Sequence, residues 1–167
     1  MQIRFTPVTA FALASVVLLG HVVFHYADLP QMLAVHFDVR GRPNGLASRE
    51  GFFLMNVGIV AFFALLFLGV GRMEKLSPRF VNLPHKDYWL APERREASMA
   101  FVTNWARWLF ALAIVFNVLL MGGVLHANLR TPVEIGAWPL YDAGAFLVAL
   151  AGMIVWLLRR FPRPPAQ

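Results

Sequence analysis

The stretch that decides the fold is GFFLMNVGIVAFFALLFLGVG, residues 51–71, which contains no aspartate, glutamate, lysine or arginine. A helix needs about 20 residues to cross the roughly 30 Å hydrocarbon core of a bilayer. The apolar residues surround the whole helix instead of forming one stripe, as expected for a helix that faces lipid. This stretch therefore predicts a transmembrane helix.

Three further runs lack the same four residue types: 7–24, 108–125 and 143–158. The last run is short, but apolar residues from Trp138 onwards extend it at the cost of Asp142. The predicted helices and the loops that join them cover, approximately, helices 7–26, 51–72, 92–126 and 138–159, outer loops 27–50 and 127–137, and inner loop 73–91. The sequence thus predicts an all-α membrane protein, a four-helix transmembrane bundle that forms a single domain over 1–167.

The composition excludes several classes of protein. Of the 167 residues, 59% are hydrophobic and 14% are charged, whereas about 25% of the residues of soluble domains are charged. There is no cysteine, so disulfides, thiolate metal sites and cysteine nucleophiles are excluded. The net charge of +6 suits nucleic acid or an anionic surface, and the distribution of the charges decides between these partners.

The basic residues are distributed unequally between the two sides of the predicted bundle. On the side of the first outer loop they are Arg40, Arg42, Arg49 and Arg130. On the other side they are Arg4, Arg72, Lys75, Arg79, Lys86, Arg94, Arg95, Arg107, Arg159, Arg160 and Arg163. Because basic loops remain in the cytoplasm, we expect both termini to be cytoplasmic. Eleven basic residues against four acidic ones give +7 inside, and four against five give −1 outside, so anionic lipid, not nucleic acid, is the expected counter-charge.

The first outer loop contains large apolar residues alternating with small or polar ones from Leu33 to Arg40. Period two over this length predicts a half-buried strand. The segment GRPNG, residues 41–45, then predicts a tight turn. Unless this polar edge is simply solvated, the candidate ligand-binding residues of the strand and turn are His36, Asp38, Arg40 and Asn44.

The inner loop contains a segment, 82–90, that we expect to be extended and that is rich in aromatic and hydrogen-bonding groups. Pro92 is suited to the first position of a helix, and Glu93 and Glu96 suit the positive end of its dipole. The third helix should therefore begin in the cytoplasm and extend into the membrane. The candidates for contact with anionic lipid headgroups or a partner are His85, Lys86, Tyr88, Trp89, Arg94 and Arg95. An ordinary loop that only sets the topology is an equal alternative.

Four of the five histidines fall on the predicted outer side. His21 and His25 are four residues apart and so share one face of the first helix, and His126 ends the third helix at the same level. Together with Asp142 they form a candidate site for a transition metal, Zn²⁺ or Cu²⁺, or for haem. Histidines near an interface need no partner, so we expect no cofactor, and the metal or haem site is the alternative.

The sequence contains no nucleophile elbow, phosphate-binding loop or zinc-protease pair, which favours a protein that is not an enzyme. Asn56 and Asn117 lie several residues inside predicted spans, and we expect their amides to form interhelical hydrogen bonds that fix the register of the bundle. Gly122 and Gly123 should allow close approach between helices.

Two segments are similar to a known bacterial family. In the first outer loop they are Leu29-Pro30, Val35-His36-Phe37, Gly41, Pro43-Asn44-Gly45 and Ser48, and in the inner loop the string 82–95. These segments resemble a domain of unknown function that includes the N-terminal part of the SdpI-type immunity proteins. The resemblance, over about residues 7–107, implies a multi-pass protein of the bacterial cytoplasmic (inner) membrane. The best-described members of this family protect a cell from a secreted antimicrobial peptide and relay its presence to a regulator.

Three functions fit these observations. The first is a non-catalytic protein whose first outer loop binds or senses an extracytoplasmic peptide or lipid. The second is an accessory subunit of a larger membrane complex, and the third is a membrane protein with a metal site at the outer-side histidines. The expected partners are anionic lipids, together with a secreted peptide or other membrane subunits, but not nucleic acid.

Overall fold

A computed structural model describes residues 5–72 and 81–164 of the chain. These residues form four long helices, one short helix and a two-stranded antiparallel sheet. The elements in chain order are α1 (Pro7–His25), β1 (Met32–Phe37), β2 (Pro43–Ser48), α2 (Arg49–Val70), α3 (Lys86–Trp89), α4 (Pro92–Asn128) and α5 (Trp138–Arg160). The long helices α1, α2, α4 and α5 are each long and apolar enough to cross a membrane, as the sequence predicts.

Polar residues in front of α1 and α2 explain where these two helices begin. Thr6 and Thr9 cap α1 reciprocally: the Thr6 hydroxyl accepts from the Thr9 backbone N–H at 3.2 Å, and the Thr6 N–H donates to the Thr9 hydroxyl at 2.8 Å. The Ser48 hydroxyl accepts from the Gly51 N–H at 3.0 Å. Because Ser48 is the cap, α2 begins at Arg49, two residues before the predicted start.

The central helix of the bundle is α4, which extends without a break over 37 residues. It begins at Pro92, as predicted, and ends at Asn128, two residues beyond the prediction. At 1.5 Å per residue its length is about 55 Å, so it extends well beyond a hydrocarbon core of about 30 Å. The other three long helices, α1, α2 and α5, all pack against it.

The two asparagines inside the spans do not make the expected interhelical hydrogen bonds among the described residues. Each side-chain amide donates instead to the carbonyl four residues earlier in its own helix, Asn56 to Phe52 and Asn117 to Ala113, both at 2.9 Å. A short polar side chain in a helix can bond to the carbonyl of the preceding turn, so this local bond satisfies the N–H without a neighbouring helix.

The last helix, α5, is much less buried than the others. Only 6% of its most apolar window is buried, compared with 33% in α1. It packs against α4 through two kinds of contact: the Trp105 Nε1–H donates to the Met153 carbonyl at 2.8 Å, and the Phe116 and Phe146 ring centroids are 4.8 Å apart. Most of its surface is therefore left to lipid or to another chain.

The sequence predicted an extended segment over 82–90, but only part of this segment is extended. Its second half forms the one-turn helix α3, which begins after His85 in a left-handed conformation with φ of 53°. The N–H groups of Trp89 and Leu90 bond to the carbonyls of His85 and Lys86 at 3.1 and 2.7 Å. These local bonds satisfy backbone groups that an extended chain would leave unpaired.

Four charges used in the topology prediction lie outside the described residues: Arg4, Glu74, Lys75 and Arg79.

The chain between α1 and α2 forms a β-hairpin, where the sequence predicted one strand over 33–40 and a turn over 41–45. The turn comes earlier because Asp38 closes it: Oδ1 accepts from the backbone N–H groups of Arg40 and Arg42, both at 2.9 Å. Short acidic side chains commonly stabilise turns in this way. The last three residues of the predicted turn, 43–45, therefore belong to β2.

Candidate ligand-binding cavity at the hairpin end

The hairpin covers one end of the helix bundle. We call it the hairpin end, and it comprises β1, β2 and the loop 129–137. Leu33, Val35 and Phe37 of β1 pack against a buried cluster on the helices that includes Phe52. Their period-two spacing is the part of the strand prediction that the structure confirms. The hairpin is thus packed onto the helices.

Asn128, the last residue of α4, fastens β1 to the bundle. Its side-chain amide accepts a hydrogen bond from the Ala34 N–H and donates one to the Ala34 carbonyl, both at 2.8 Å. It also donates to the Val124 carbonyl at 2.9 Å. The amide replaces a neighbouring strand on the free edge of β1. The role of Asn128 could not be predicted from the sequence because its partner is 94 positions away, and an asparagine at a helix end is equally typical of a simple cap.

A second link joins the hairpin turn to the loop 129–137. The Ile135 N–H donates to the Gly41 carbonyl at 3.0 Å. A Cβ atom at Gly41 would lie 2.7 Å from the Gly136 nitrogen, and Gly41 has a φ of +76°. Close approach and backbone conformation therefore both require glycine at position 41. Through this link the hairpin turn positions the loop 129–137.

A cavity of about 760 Å³ lies at this end, between α1, α4, the loop 129–137 and the beginning of α5. Its volume falls within the roughly 300–1,000 Å³ typical of small-molecule sites. The ionisable side chains that line it are His21, His25, His126, Arg130 and Glu134. Its apolar walls include Val118, Leu119 and Ile135. The cavity therefore combines a largely apolar wall with a group of convergent polar side chains.

Three of the four predicted metal ligands share this cavity. The ring centroids of His21 and His25 are 5.0 Å apart, and His126 approaches from α4. Asp142 does not line the cavity. Within residues 5–72 and 81–164, no group of three or more histidine, aspartate or glutamate side chains could hold a metal ion. The structure thus brings the imidazoles around a shared space, but it places Asp142 elsewhere.

Gly122 and Gly123 shape the wall that α4 contributes. A Cβ atom at Gly122 would lie 3.7 Å from His21 Cε1 and is accommodated without a clash, so this glycine leaves volume empty beside the imidazole. A Cβ atom at Gly123 would overlap the ring of Trp138, whose Nε1–H donates to the Leu119 carbonyl at 3.0 Å. The close helix approach predicted for both glycines therefore holds for Gly123, where the first residue of α5 rests on α4.

Arg130 and Glu134 bring opposite charges to the cavity. Both belong to the loop 129–137, and both are exposed. Within the part of the chain that the structure describes, neither side chain forms an ion pair or a hydrogen bond, and the same holds for the three histidines. From the sequence these two residues contribute only to the predicted topology, because their position beside the cavity depends on how the loop folds.

The four predicted ligand-binding residues of the hairpin do not line this cavity. The carboxylate of Asp38 is engaged in the turn. His36 lies beside Gly45, where a Cβ atom would be only 2.9 Å from the His36 Cβ. Arg40 and Asn44 are exposed. The exposed face of the hairpin carries these side chains, whereas its turn contacts the lining of the cavity through the backbone of Gly41.

Asp142 is buried between α4 and α5. It lies one turn after Trp138 and one turn before Phe146, so the three share one face of α5. That face meets α4, because Trp138 bonds to the Leu119 carbonyl and Phe146 packs on Phe116. Asp142 is 5% exposed, and its Oδ2 has no hydrogen-bond partner among the described residues. It is therefore a buried group of the helix interface, separate from the histidines.

The opposite end of the bundle comprises α3, the beginning of α4 and the end of α5. Here predicted lipid-contact residues contact other parts of the protein. The Arg94 guanidinium lies 3.9 Å from the centroid of the Tyr88 ring, and its Nε donates to the Tyr88 carbonyl at 2.9 Å. The Trp89 Nε1–H donates to the Pro162 carbonyl at 3.1 Å, and the Trp89 ring packs against Phe161.

Arg160 completes this cluster. Its guanidinium lies 5.5 to 5.6 Å from the ring centroids of Trp89, Phe101 and Phe161, close enough for cation–π attraction. Of the remaining predicted contact residues, His85 and Lys86 are exposed and Arg95 is half-buried. The opposite end therefore joins α3 to α5.

Comparison with known proteins adds one similarity. Residues 12–60 match a family described as a domain of unknown function, DUF1648, which also occurs in SdpI-like proteins. The matched stretch includes most of α1, the hairpin and the first half of α2. No curated protein and no solved structure shows significant similarity to the chain. The four long apolar helices indicate a multi-pass membrane protein, and residues 12–60 are similar to a domain whose function is unknown.

Proposed function

We propose that this chain is a non-catalytic membrane protein that binds an amphipathic, extracytoplasmic ligand at its hairpin end. The observation that carries the proposal is the cavity of about 760 Å³, in which apolar walls meet five ionisable side chains that form no hydrogen bond or ion pair among the described residues. An apolar pocket with a few convergent polar groups is typical of small-molecule binding sites. The hairpin takes part by holding the loop 129–137 in place through Gly41.

The proposed orientation is a bacterial inner membrane with both termini in the cytoplasm and the hairpin end outside. Its support is the excess of basic residues on the other side of the bundle. Because the chain has no cysteine, single Arg42→Cys and Lys86→Cys variants allow a direct test with a membrane-impermeant maleimide. We expect intact cells to label the first variant and only permeabilised cells to label the second. The reverse pattern would contradict the orientation.

Ligand binding is tested by filling the cavity. In Gly122→Leu the new side chain occupies the space beside His21, whereas in the control Gly144→Leu it meets nothing within 4 Å of its Cβ. After gentle detergent purification, native mass spectrometry should show a bound small molecule on the wild-type chain and the control but not on Gly122→Leu. The same adduct pattern in all three proteins, or no adduct on the wild type, would contradict the proposal.

The second candidate function is that of an accessory subunit in a larger membrane complex. The observation that favours it is the low burial of α5, whose exposed apolar residues include Leu140, Leu147 and Val148. This function predicts a second polypeptide at fixed stoichiometry in the same native mass spectra. A wild-type chain that carries a small molecule but no second polypeptide would favour the first function.

A further inference from the structure

The position of the cavity limits the ligands that can reach it. His25 is the last residue of α1, and His126 lies in the last turn of α4, so both are at the ends of spanning helices, where lipid headgroups lie. Leu119, two turns deeper on α4 than His126, lines the cavity and is 41% exposed. The apolar part of the cavity therefore opens on the side of the bundle that faces lipid, and a lipid can enter it from the membrane.

The charges at the cavity point to a ligand that carries both signs. Arg130 and Glu134 line the same space, four positions apart on one loop, yet they form no ion pair within the described residues. An anion alone would meet Arg130 favourably but would face the Glu134 carboxylate, and a cation alone would meet the reverse problem. A ligand with an anionic and a cationic group offers each of them a partner.

The imidazoles favour one arrangement of these two charges. His21, His25 and His126 can each donate an N–H bond whether neutral or protonated, and none has a hydrogen-bond partner in the described structure. Phosphate oxygens accept several such bonds at once, together with the Arg130 guanidinium. The Glu134 carboxylate can only accept when ionised, and a primary ammonium group supplies hydrogen-bond donors that a quaternary ammonium group lacks.

We infer that the cavity binds the headgroup of a phospholipid that carries a phosphate and a primary ammonium group, as in phosphatidylethanolamine. Arg130 and the imidazoles bind the phosphate, Glu134 binds the ammonium group, and an acyl chain lies along the apolar wall at Val118 and Leu119. This inference rests on the proposed function, since it names the ligand of the same cavity.

The test uses the full-length chain, delipidated in detergent, and native mass spectrometry. Phosphatidylethanolamine, phosphatidylcholine and phosphatidylglycerol with identical acyl chains are added in equal amounts. We expect phosphatidylethanolamine to be retained about tenfold more than phosphatidylcholine, the ratio expected for about one charge-assisted hydrogen bond. Equal retention of the two lipids would overturn the inference.

Four variants connect the preference to the residues. Glu134→Gln should lower the retention of phosphatidylethanolamine to that of phosphatidylcholine. Arg130→Gln should lower the retention of all three lipids. Gly122→Leu should abolish binding at the site. The matched control Arg42→Gln, an exposed residue of the hairpin turn outside the cavity, should bind as the wild type does. A preference for phosphatidylethanolamine that survives Glu134→Gln would overturn the assignment of the ammonium group.

A competition experiment separates the lipid from its free headgroup and from other ligands. Soluble O-phosphoethanolamine, added in hundredfold excess, should not displace the lipid, because it lacks the acyl chain that contacts the apolar wall. Full displacement would overturn the inference that the ligand is a lipid and would assign the site to the free compound. If the purified chain carries another molecule that Gly122→Leu loses, and shows no preference among the lipids, the inference is wrong although the proposed binding function remains.

Discussion

The two ends of the bundle use polar and aromatic side chains in opposite ways. At the opposite end, Trp89 donates a hydrogen bond to the Pro162 carbonyl, and Arg160 lies against the rings of Trp89 and Phe161. At the hairpin end, ionisable side chains such as His21 and Arg130 surround a cavity without hydrogen-bond partners in the described structure. Polar groups that are satisfied within the protein contribute to its stability, whereas convergent polar groups without hydrogen-bond partners are available to a ligand.

The hairpin end also contains buried polar groups that are hydrogen-bonded, those of Asn128 and Ala34. Removing these hydrogen bonds should have the largest effect on stability. In Asn128→Ala the N–H and carbonyl of Ala34 lose their partner in a buried position, which we expect to lower the free energy of unfolding by about 3 kcal/mol. Detergent-denaturation curves measure this loss. The control Asn44→Ala removes an exposed amide and should change stability by less than about 0.5 kcal/mol. Similar losses in both variants would show that Asn128 does not fasten β1.

The second-largest effect is expected at the link between the hairpin turn and the cavity loop. Gly41→Ala places a Cβ against Gly136 and forces a left-handed alanine, so we expect a loss of about 2 kcal/mol. The loop 129–137 should also become more sensitive to limited proteolysis than in the wild type. Gly20→Ala, where a Cβ meets nothing within 4 Å, is the control. Unchanged proteolysis in Gly41→Ala would contradict the role of Gly41 in positioning the loop 129–137.

The opposite end should affect stability without affecting binding. Arg160→Gln removes the cation–π contacts with Trp89, Phe101 and Phe161, and we expect a loss of about 1 kcal/mol. Thermal unfolding in detergent measures the loss, and native mass spectrometry should show the same bound small molecule as the wild type. Arg159→Gln, an exposed neighbour, is the control for the change of charge. Loss of the bound small molecule in Arg160→Gln would show that the opposite end also affects ligand binding.

The smallest effect on stability is expected for a residue that lines the cavity. Arg130 is exposed and has no side-chain partner among the described residues, so Arg130→Gln should change the free energy of unfolding by less than about 0.5 kcal/mol. Lipid retention by the same variant should nevertheless fall. A stability loss comparable to that of Arg160→Gln would mean that Arg130 has a structural role.

The spans could be predicted from the sequence because membrane helices need only local information. Runs such as 51–71 specify their own helix by length and composition, and Pro92 correctly marked the start of α4. The turn of the hairpin was placed too late, since Pro43 and the following residues resemble turn residues more strongly than Asp38 does. The carboxylate of Asp38 nevertheless closes the turn first.

The cavity could be predicted only in part. The helical spacing of His21 and His25 placed both on one face, and the structure brings both of them and His126 to one space. The contribution of Arg130 and Glu134 depends on how the loop 129–137 folds against Gly41, a contact between distant segments that periodicity does not encode. For the same reason the sequence grouped Asp142 with the histidines, although its face of α5 meets α4 through Trp138 and Phe146.

We propose that the hairpin end holds a ligand, whereas the opposite end is closed by the protein itself. The most direct measurement is an experimental structure of the full-length chain in lipid nanodiscs. We expect continuous non-protein density that begins beside His21, extends past Leu119 towards the lipid and reaches Arg130. A cavity that has collapsed, or that contains only isolated water molecules, would contradict the account.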